Sequence, residues 1–423
     1  MKDKLQIKET KKLTEDDLLD LDYSFTYYVG PNKRNKAKNI GEIILDIILI
    51  FIKEFVKDLF SVFKYKRIND KYVFLYSTTN QYNALAPLKK IVENSVFATF
   101  TRFDENRIPR SIGILLSLFY LPNFNTILKR SNNSDLLQRG KYYLIEGLYQ
   151  WWNFYLHKTK PKAIIMSNDH TVSQRIIKKI AQSEKIPTIY IQHASVTEEF
   201  PKLDFDLSLL EGRDALNKYN KKGIDGVYEL IGMPKFDQHY SDINTNSEVK
   251  SIGICTNHLD NDERIIRLCK ELRINFPNTN IHIRPHPEDS RSKLYMKLCK
   301  MYNLEYSDSK KVNSFQFFKE IDLNIAGETS IHLEAVLMNV YPVYYQLNSE
   351  PYDEYSYLKN KLVNESFDKI QDLYSFIIKI RYNKPNIRGR AKYYIDTVNS
   401  IYDGKSTIKA KNIIINFVEN HKL

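Results

Sequence analysis

From residue 72 onward, short runs of β-branched and aromatic residues alternate with longer stretches whose apolar positions recur every three or four residues. The short runs at 72–76, 95–101, 163–166, 188–192, 207–210 and 227–231 read as strands, and the stretches at about 84–92, 112–119, 136–156 and 171–184 read as helices. A second series repeats the alternation, with strands at 252–255, 280–283, 321–326 and 341–345 and helices at 262–276, 291–301 and 330–338. Strand and helix alternating in this way imply a parallel sheet covered on both faces. Two such series in 423 residues, too many for one simple core, predict two doubly wound α/β domains of the Rossmann-like kind, at 70–235 and 249–365. Gly232-Met233-Pro234 closes the first series, and 236–248 is polar and aperiodic, which reads as a linker. Helices rich in Ile, Tyr and Lys fill 366–423.

Residues 1–69 form an N-terminal extension with one unusual stretch. Between 40 and 63, Ile43, Ile44, Ile47, Ile48, Phe51, Ile52, Phe55, Val56, Leu59 and Phe60 are interrupted by Glu42, Asp46, Lys53 and Lys57, whose spacing gathers the charges on one helical face. A spanning helix needs about 20 mostly apolar residues without such charges, so 40–63 reads as an amphipathic helix with a wide apolar face. Basic residues flank it: Lys33, Arg34, Lys36 and Lys38 before, Lys64, Lys66 and Arg67 after. That layout suits a helix lying on an anionic membrane surface, and equally a helix packed on the protein's own core or on a partner subunit.

Composition then narrows the partners. The net charge of +12 favours anionic ligands such as nucleotides, phospholipid headgroups or acidic glycans. Lys and Tyr are spread along the whole chain and no nucleic-acid-binding motif is present, so no nucleic-acid partner is expected. The three cysteines show neither metal spacing nor a paired framework. With a charged and polar stretch in place of a signal peptide, this points to a reducing cytoplasm, with the 40–63 helix as a means of peripheral attachment to the inner face of the cytoplasmic membrane.

Candidate chemistry collects at the ends of the expected strands, where open α/β sheets bind phosphorylated ligands. After 281–283 comes Arg284-Pro285-His286-Pro287-Glu288, in which two prolines present His286 rigidly. After 321–326 comes Gly327-Glu328-Thr329-Ser330, opening a helix with Glu334 one turn beyond Ser330. The backbone N–H groups and hydroxyls of Thr329 and Ser330 suit a phosphate, and Glu334 suits ribose hydroxyls. In the first half, Asn168-Asp169-His170 and Gln192-His193 end successive strands, and Thr79 and Asn80 sit in the loop after the first. A carboxylate or imidazole there serves as general base toward an acceptor hydroxyl, Asp169 first and His193 second. The same residues also fit bland roles: His286 in a proline turn, Thr329 and Asp169 as helix caps, Gln192 and His193 in a turn. Asp204-Phe205-Asp206 has the spacing of a metal-binding Asp-X-Asp but runs into the strand 207–210 and bounds it, so no metal is expected.

In this order and placement, Asn168-Asp169, Gln192-His193, His286-Pro287 and Gly327-Glu328-Thr329-Ser330 with Glu334-Ala335 resemble the motifs of bacterial surface-polysaccharide glycosyltransferases of GT-B type, over roughly residues 160–350. The nearest in style are capsule-synthesis transferases that use CMP-Kdo, and the bacterial sialyltransferases, which share the His-Pro motif. Ala194 stands where that group has Gly, Thr329-Ser330 replaces a Ser-Ser pair, and the acidic-acidic-Gly motif of many sialyltransferases is absent. The resemblance implies a GT-B-like fold, with two Rossmann-like domains facing a cleft, an N-terminal amphipathic helix and C-terminal helices. It implies a metal-independent, cofactor-free transfer from a nucleotide-activated sugar, CMP-linked by preference, to a glycan or lipid-linked acceptor in capsule or lipopolysaccharide synthesis. Asp169, His193 and His286 would be catalytic. Arg284, His286, Thr329, Ser330 and Glu334 would bind the nucleotide, and Thr79, Asn80, His170 and Gln192 the acceptor. A CDP-polyol phosphotransferase and a nucleotide-sugar epimerase share the fold and stand as alternatives, as does a non-enzymatic basic binding protein.

Overall fold

The computed structural model describes residues 12–21, 38–102, 106–134, 137, 140–168, 170–348 and 353–421. Two parallel six-stranded sheets organise the chain. The first holds β1 (Tyr72–Tyr76), β2 (Ser95–Thr99), β3 (Ala163–Met166), β4 (Thr188–Ile191), β5 (Leu207–Leu210) and β6 (Val227–Leu230), in the order β2-β1-β3-β4-β5-β6. The second holds β7 (Ser251–Thr256), β8 (Asn280–Pro285), β9 (Glu305–Tyr306), β10 (Leu323–Ala326), β11 (Tyr341–Tyr345) and β12 (Ser366–Phe367), in the order β12-β11-β10-β7-β8-β9. Each is doubly wound, as expected from the alternation. The two-residue strands β9 and β12 are too short to show any period in the sequence.

Strand alternation sorts the first core into two layers. Val73 and Leu75 of β1 face one layer, while Tyr72, Phe74 and Tyr76 face the other. The first layer is covered by α1 (Glu15–Leu21), α2 (Ile40–Ser61), α4 (Ser111–Arg130), α5 (Ile145–Thr159) and α6 (Val172–Ser183). The second is covered by α3 (Thr79–Ile91) and by α13 (Ser406–Asn420), which returns from the far end of the chain to bury Ala410, Ile414 and Val418 against the first sheet. Asp237 caps that helix from a distance: its carboxylate accepts from the Ser406 and Thr407 nitrogens at 3.0 and 2.6 Å. α7 (Arg213–Asn220) adds Ala215 and Tyr219 to the first layer, and the remaining helices are α8 (Asp262–Asn275), α9 (Ser292–Tyr302), α10 (Ser314–Phe318), α11 (Ile331–Leu337) and α12 (Ile370–Ile380). The stretch expected as a linker, 236–248, overlaps the 3-10 turn Pro234–Asp242, which packs Phe236 into the second core.

Two helices run longer than their patterns predicted. α3 starts at Thr79, capped by Thr78, because its polar first turn carries no apolar signal, and Pro87 lies inside it. α4 continues through Pro122 to Arg130, since Leu121 and Phe124 are held in the core on either side of the proline. α2 forms where predicted, yet its polarity is turned inward. Glu54 and Asp58 ion-pair with the fully buried Arg107, and Asp46 with Lys38, while the opposite apolar face stays exposed.

α4 and α5 cross in close contact. A Cβ at Gly147 would overlap the Gly113 carbonyl and the Ser117 backbone nitrogen. Gly147→Ala is therefore expected to destabilise the protein by about 2 kcal/mol, read as a fall in the thermal midpoint, while an alanine at the exposed Gly389, whose Cβ meets nothing nearer than 3.6 Å, leaves the midpoint within a degree or so.

Candidate active site at the strand ends

In each sheet the winding reverses once. β1 and β3 flank that point in the first sheet, β7 and β10 in the second. Loops beyond such a switch diverge and leave a crevice at the carboxyl ends of the strands. The chain places 77–80, 167–168 and 170 at the first switch, and 257–260 and 327–330 at the second.

The second crevice is tightly stitched. Asn257 donates its side-chain amide to the Glu328 carbonyl at 3.0 Å, and its backbone nitrogen to the Asp260 carboxylate at 2.7 Å. Gly327 lies so close to Asp260 that a Cβ there would stand 3.2 Å from the carboxylate oxygen. Arg291 fastens the outer side, donating to the Asp260 and Asn257 carbonyls at 2.6 and 2.5 Å. Burial pushes the Asp260 carboxyl up to about 6 and Glu328 up to about 7, with Asp353 and Glu354 adding to the latter.

His286 follows the last residue of β8, on the other side of β7 from Thr329 and Ser330. Its ring reaches solvent, and its Nδ1 accepts from the Glu288 nitrogen at 3.2 Å. Nε2 is then the N–H of the neutral ring, pointing away from the turn. Partial desolvation lowers its pKa, so at neutral pH it acts as a hydrogen-bond donor and not as a cation. Thr329 is half-buried and Ser330 exposed, and among the described residues neither hydroxyl has a hydrogen-bond partner. Ser330, not Thr329, holds the N-cap position of α11, without a side-chain cap bond.

Other expected residues turn out to be committed elsewhere. Arg284 is buried and donates to Ser307 Oγ and the Val312 carbonyl at 3.1 and 2.7 Å, with its guanidinium over Phe317, so it braces the loop after β9 instead of offering itself to phosphate. Gln192 is a staple between β4 and β5: its Oε1 accepts from the Glu211 nitrogen at 2.8 Å and its Nε2 donates to the Ala194 carbonyl at 2.9 Å and the Glu211 carboxylate at 3.3 Å, which leaves no amide hydrogen for an acceptor. His170 is buried edge-on against Phe200, and burial lowers its pKa to about 4, so it belongs to the core and not to an acceptor site. Asn168 caps the turn that follows, its Oδ1 accepting from the His170 and Thr171 nitrogens at 2.9 and 2.8 Å. Asp169 lies outside the described residues. Thr79 and Asn80 are exposed in the first turn of α3, at the first switch. Asp204 and Asp206 pair with Lys178 and with the Thr188 backbone nitrogen, in keeping with their reading as bounds of a strand.

The two halves meet through charge. Glu334 pairs with Lys235 at 2.6 Å. Burial works against the Glu334 charge, but Lys235 outweighs it and holds the pKa below the usual range. Burial likewise opposes the Lys235 charge, while Glu334 and Glu211 raise its pKa. Glu211, at the end of β5, is pushed up to about 8 by burial, despite Lys235. His193 sits beside this group. Burial, with the charges of His170 and Lys235, lowers it to about 4; its ring bonds the Ser167 backbone, and its Nδ1 is shielded from solvent with no partner among the described residues. A hydroxyl bridge adds to the junction, with Ser195 Oγ 2.8 Å from Tyr357 Oη and the same phenol 3.5 Å from the Ser330 carbonyl. Glu211, Lys235 and Tyr357 escaped the sequence reading because no local pattern marks a residue whose partner is far along the chain, 99 positions for Lys235 and Glu334 and 162 for Tyr357 and Ser195.

A carboxyl at about 8 is protonated at neutral pH in the folded chain and ionised in the unfolded one, so folding binds a proton, and stability falls as pH rises from the unfolded value toward 8. Glu211→Gln keeps the neutral hydrogen-bonding shape. Its melting temperature is expected to lie nearest wild type at about pH 4, below the unfolded carboxyl's pKa, and to exceed it increasingly toward about pH 8; equal losses for both proteins over that range would assign the pH dependence to other groups.

No protein-family model matches the chain, and no curated protein is similar to it in sequence. Solved structures do resemble it. One from Listeria monocytogenes, assigned as a UDP-N-acetylglucosamine 2-epimerase, superposes with a TM-score of 0.55 at 12% identity, over 83% of this chain and 97% of that one. The Neisseria meningitidis UDP-GlcNAc 2-epimerase bound to UDP-GlcNAc gives 0.51 at 14% identity, over 81% and 99%. The glycotransferase of kitacinnamycin gives 0.51 at 12%, over 82% and 99%. At such identities the likeness is one of fold, and the fold is GT-B-like: two Rossmann-like domains with their strand ends turned toward one another.

Proposed function

We propose that the chain is a glycosyltransferase that takes a sugar from a nucleotide-activated donor, CMP-linked by preference, and passes it to a glycan or lipid-linked acceptor in bacterial surface-polysaccharide synthesis, working at the cytoplasmic face of the membrane. The observation that carries this reading is the pair of unengaged donor groups flanking the second switch. His286 follows β8 and Thr329-Ser330 follow β10, with β7 between them. Two strand spacings separate them, about 10 Å, so a phosphate seated over the end of β7 lies within reach of both. The Nε2–H of His286 and the two hydroxyls would then stabilise the charge that grows on the departing phosphate. Arg284 has no direct part in this scheme. Glu334 would receive the ribose hydroxyls while sharing its second oxygen with Lys235.

On the acceptor side the first half offers His193 and Asp169. His193 is neutral, and its partnerless Nδ1 is an acceptor where a hydroxyl would complete the hydrogen bonding. Asp169 remains the first choice of base from the motif resemblance. Neither role calls on a metal, and phosphate charge is met by N–H and O–H donors. The two epimerases among the similar structures favour a second reading, in which the same donor site works on the nucleotide sugar with no acceptor.

Thermal stabilisation by CMP, CDP, UMP, UDP and GDP tests the donor site. A nucleotide at a hundredfold excess over its dissociation constant should stabilise the wild type by about 2.7 kcal/mol, and His286→Ala and the double variant Thr329→Ala/Ser330→Ala should lose most of that gain. A response to CMP alone supports the CMP-sugar donor. A UDP response redirects the search to UDP-sugars, and following the donor alone by NMR then separates epimerisation from transfer. A wild type that melts cooperatively and ignores every nucleotide overturns the reading.

A further inference from the structure

α2 inverts the usual polarity of a surface helix. In a soluble domain the apolar stripe packs inward and the charges face water. Here Glu54 and Asp58 are turned into the protein, where Asp58 receives Arg107 Nε at 2.6 Å and the Arg110 and Ser111 nitrogens at 2.9 and 2.8 Å, capping α4. Asp46 is held at 2.6 Å by Lys38 and bonded by Tyr143, and Glu42 closes a capping box with Asn39. The acidic groups of α2 are thus spent on its own cap and on the protein. Ile43 and Ile47 are its only fully buried apolar side chains. Twelve large apolar residues between Ile40 and Phe63 are exposed instead, among them Leu45, Leu49 and Ile52 at more than half their area and Phe63 at 86%. Its packing partner α4 adds Ile112, Leu115 and Phe119, spaced as one helical face. Soluble monomers scatter such residues or keep them in small patches, and one this long marks an interaction surface.

Charge says what covers it. Past the end of α2 the chain enters a concavity of about 480 Å³ at the edge of the first sheet, lined by Lys64, Lys66, Lys71 and Lys89. Among the described residues none of these four ammonium groups is in an ion pair. An apolar helix face laid flat, with free lysines gathered beside one end, matches the layered chemistry of an anionic bilayer: acyl chains and glycerol under the helix, lipid phosphates at its rim. A second copy of the chain would cover the apolar face but, with its own net charge of +12, would on balance repel the lysines. Six charged residues within 22 make α2 unsuited to crossing the bilayer.

We propose that α2 and the lysine concavity form a membrane-docking surface, on which the protein lies with its outward apolar face in the headgroup–acyl boundary and lipid phosphates in the concavity. This stands independently of the nucleotide-sugar reading. Co-sedimentation of the full chain with vesicles of phosphatidylcholine plus phosphatidylglycerol, and of phosphatidylcholine alone, tests it. Wild type is expected on the anionic vesicles, with added salt weakening it. A variant with Leu45, Leu49, Phe60 and Phe63 changed to Ser should lose binding to both kinds of vesicle. A variant with Lys64, Lys66 and Lys71 changed to Glu should lose about tenfold or more of its affinity for the anionic vesicles only. All the altered side chains are at least partly exposed, so both variants should melt as wild type does, and the circular dichroism of each checks this. The proposal is overturned if wild type ignores anionic vesicles, if both variants bind as wild type does, or if wild type is a vesicle-indifferent dimer that the Ser variant converts to monomer.

Discussion

A parallel sheet is apolar on both faces and has to be covered on both, and this requirement shapes the whole molecule. In the first half, six helices crowd one face of the sheet, and α3 alone from that half lies on the other. The missing cover comes from α13, at the end of the chain. To reach it the chain must cross back from the second half, and the crossing is fastened where it begins, by the Asp237 carboxylate on the helix N-terminus and by the Thr397–Ser406 hydroxyl pair at 2.9 Å. The two sheets are therefore tied by chain connection at both ends of the second half, and their strand ends are set against one another.

That arrangement explains the electrostatics of the junction. Strand ends carry polar side chains, and pressing two sets of them together removes water from groups that would otherwise ionise freely. Glu211 moves upward for this reason, while Glu334 stays charged because Lys235 reaches it from the other half; Asp260 and Glu328 move upward through burial in the second half's own crevice. A buried pair of this kind adds little net stability, but breaking one side leaves an uncompensated charge and is costly. Its effect is on geometry: it sets how the loop after β10 and the segment after β6 face each other, with His193 beside them.

The N-terminal layer follows the opposite economy. α2 spends its carboxylates on Arg107, Arg110 and Lys38 and leaves most of its aliphatic and aromatic side chains outside. Such a face is unfavourable in water and favourable in the headgroup region of a bilayer. A site that handles lipid-linked acceptors gains from a body held at that surface, so the external face and the proposed chemistry are compatible without depending on each other.

Alternation of short apolar runs with amphipathic stretches was enough, in the sequence alone, to read two doubly wound sheets; β1, β3, β5 and β11 fall on the residues their patterns marked. Proline-bounded His286 and the Gly327–Ser330 turn were legible for a similar reason, since local backbone chemistry places them at strand ends whatever packs around them. Long-range pairing was not legible. Arg284 and Gln192 looked like ligand groups because nothing nearby in the chain showed that Val312 and Glu211 would claim them. His170 looked available until Phe200 was seen to cover it. In α2 the sequence specified a helix with one charged and one apolar face, but a helical pattern carries no sign for which face turns inward. Only the tertiary structure, by setting Arg107 beneath Glu54 and Asp58, decided that these two carboxylates go in and most of the apolar face comes out, because a buried guanidinium requires carboxylates more strongly than a core requires one more isoleucine.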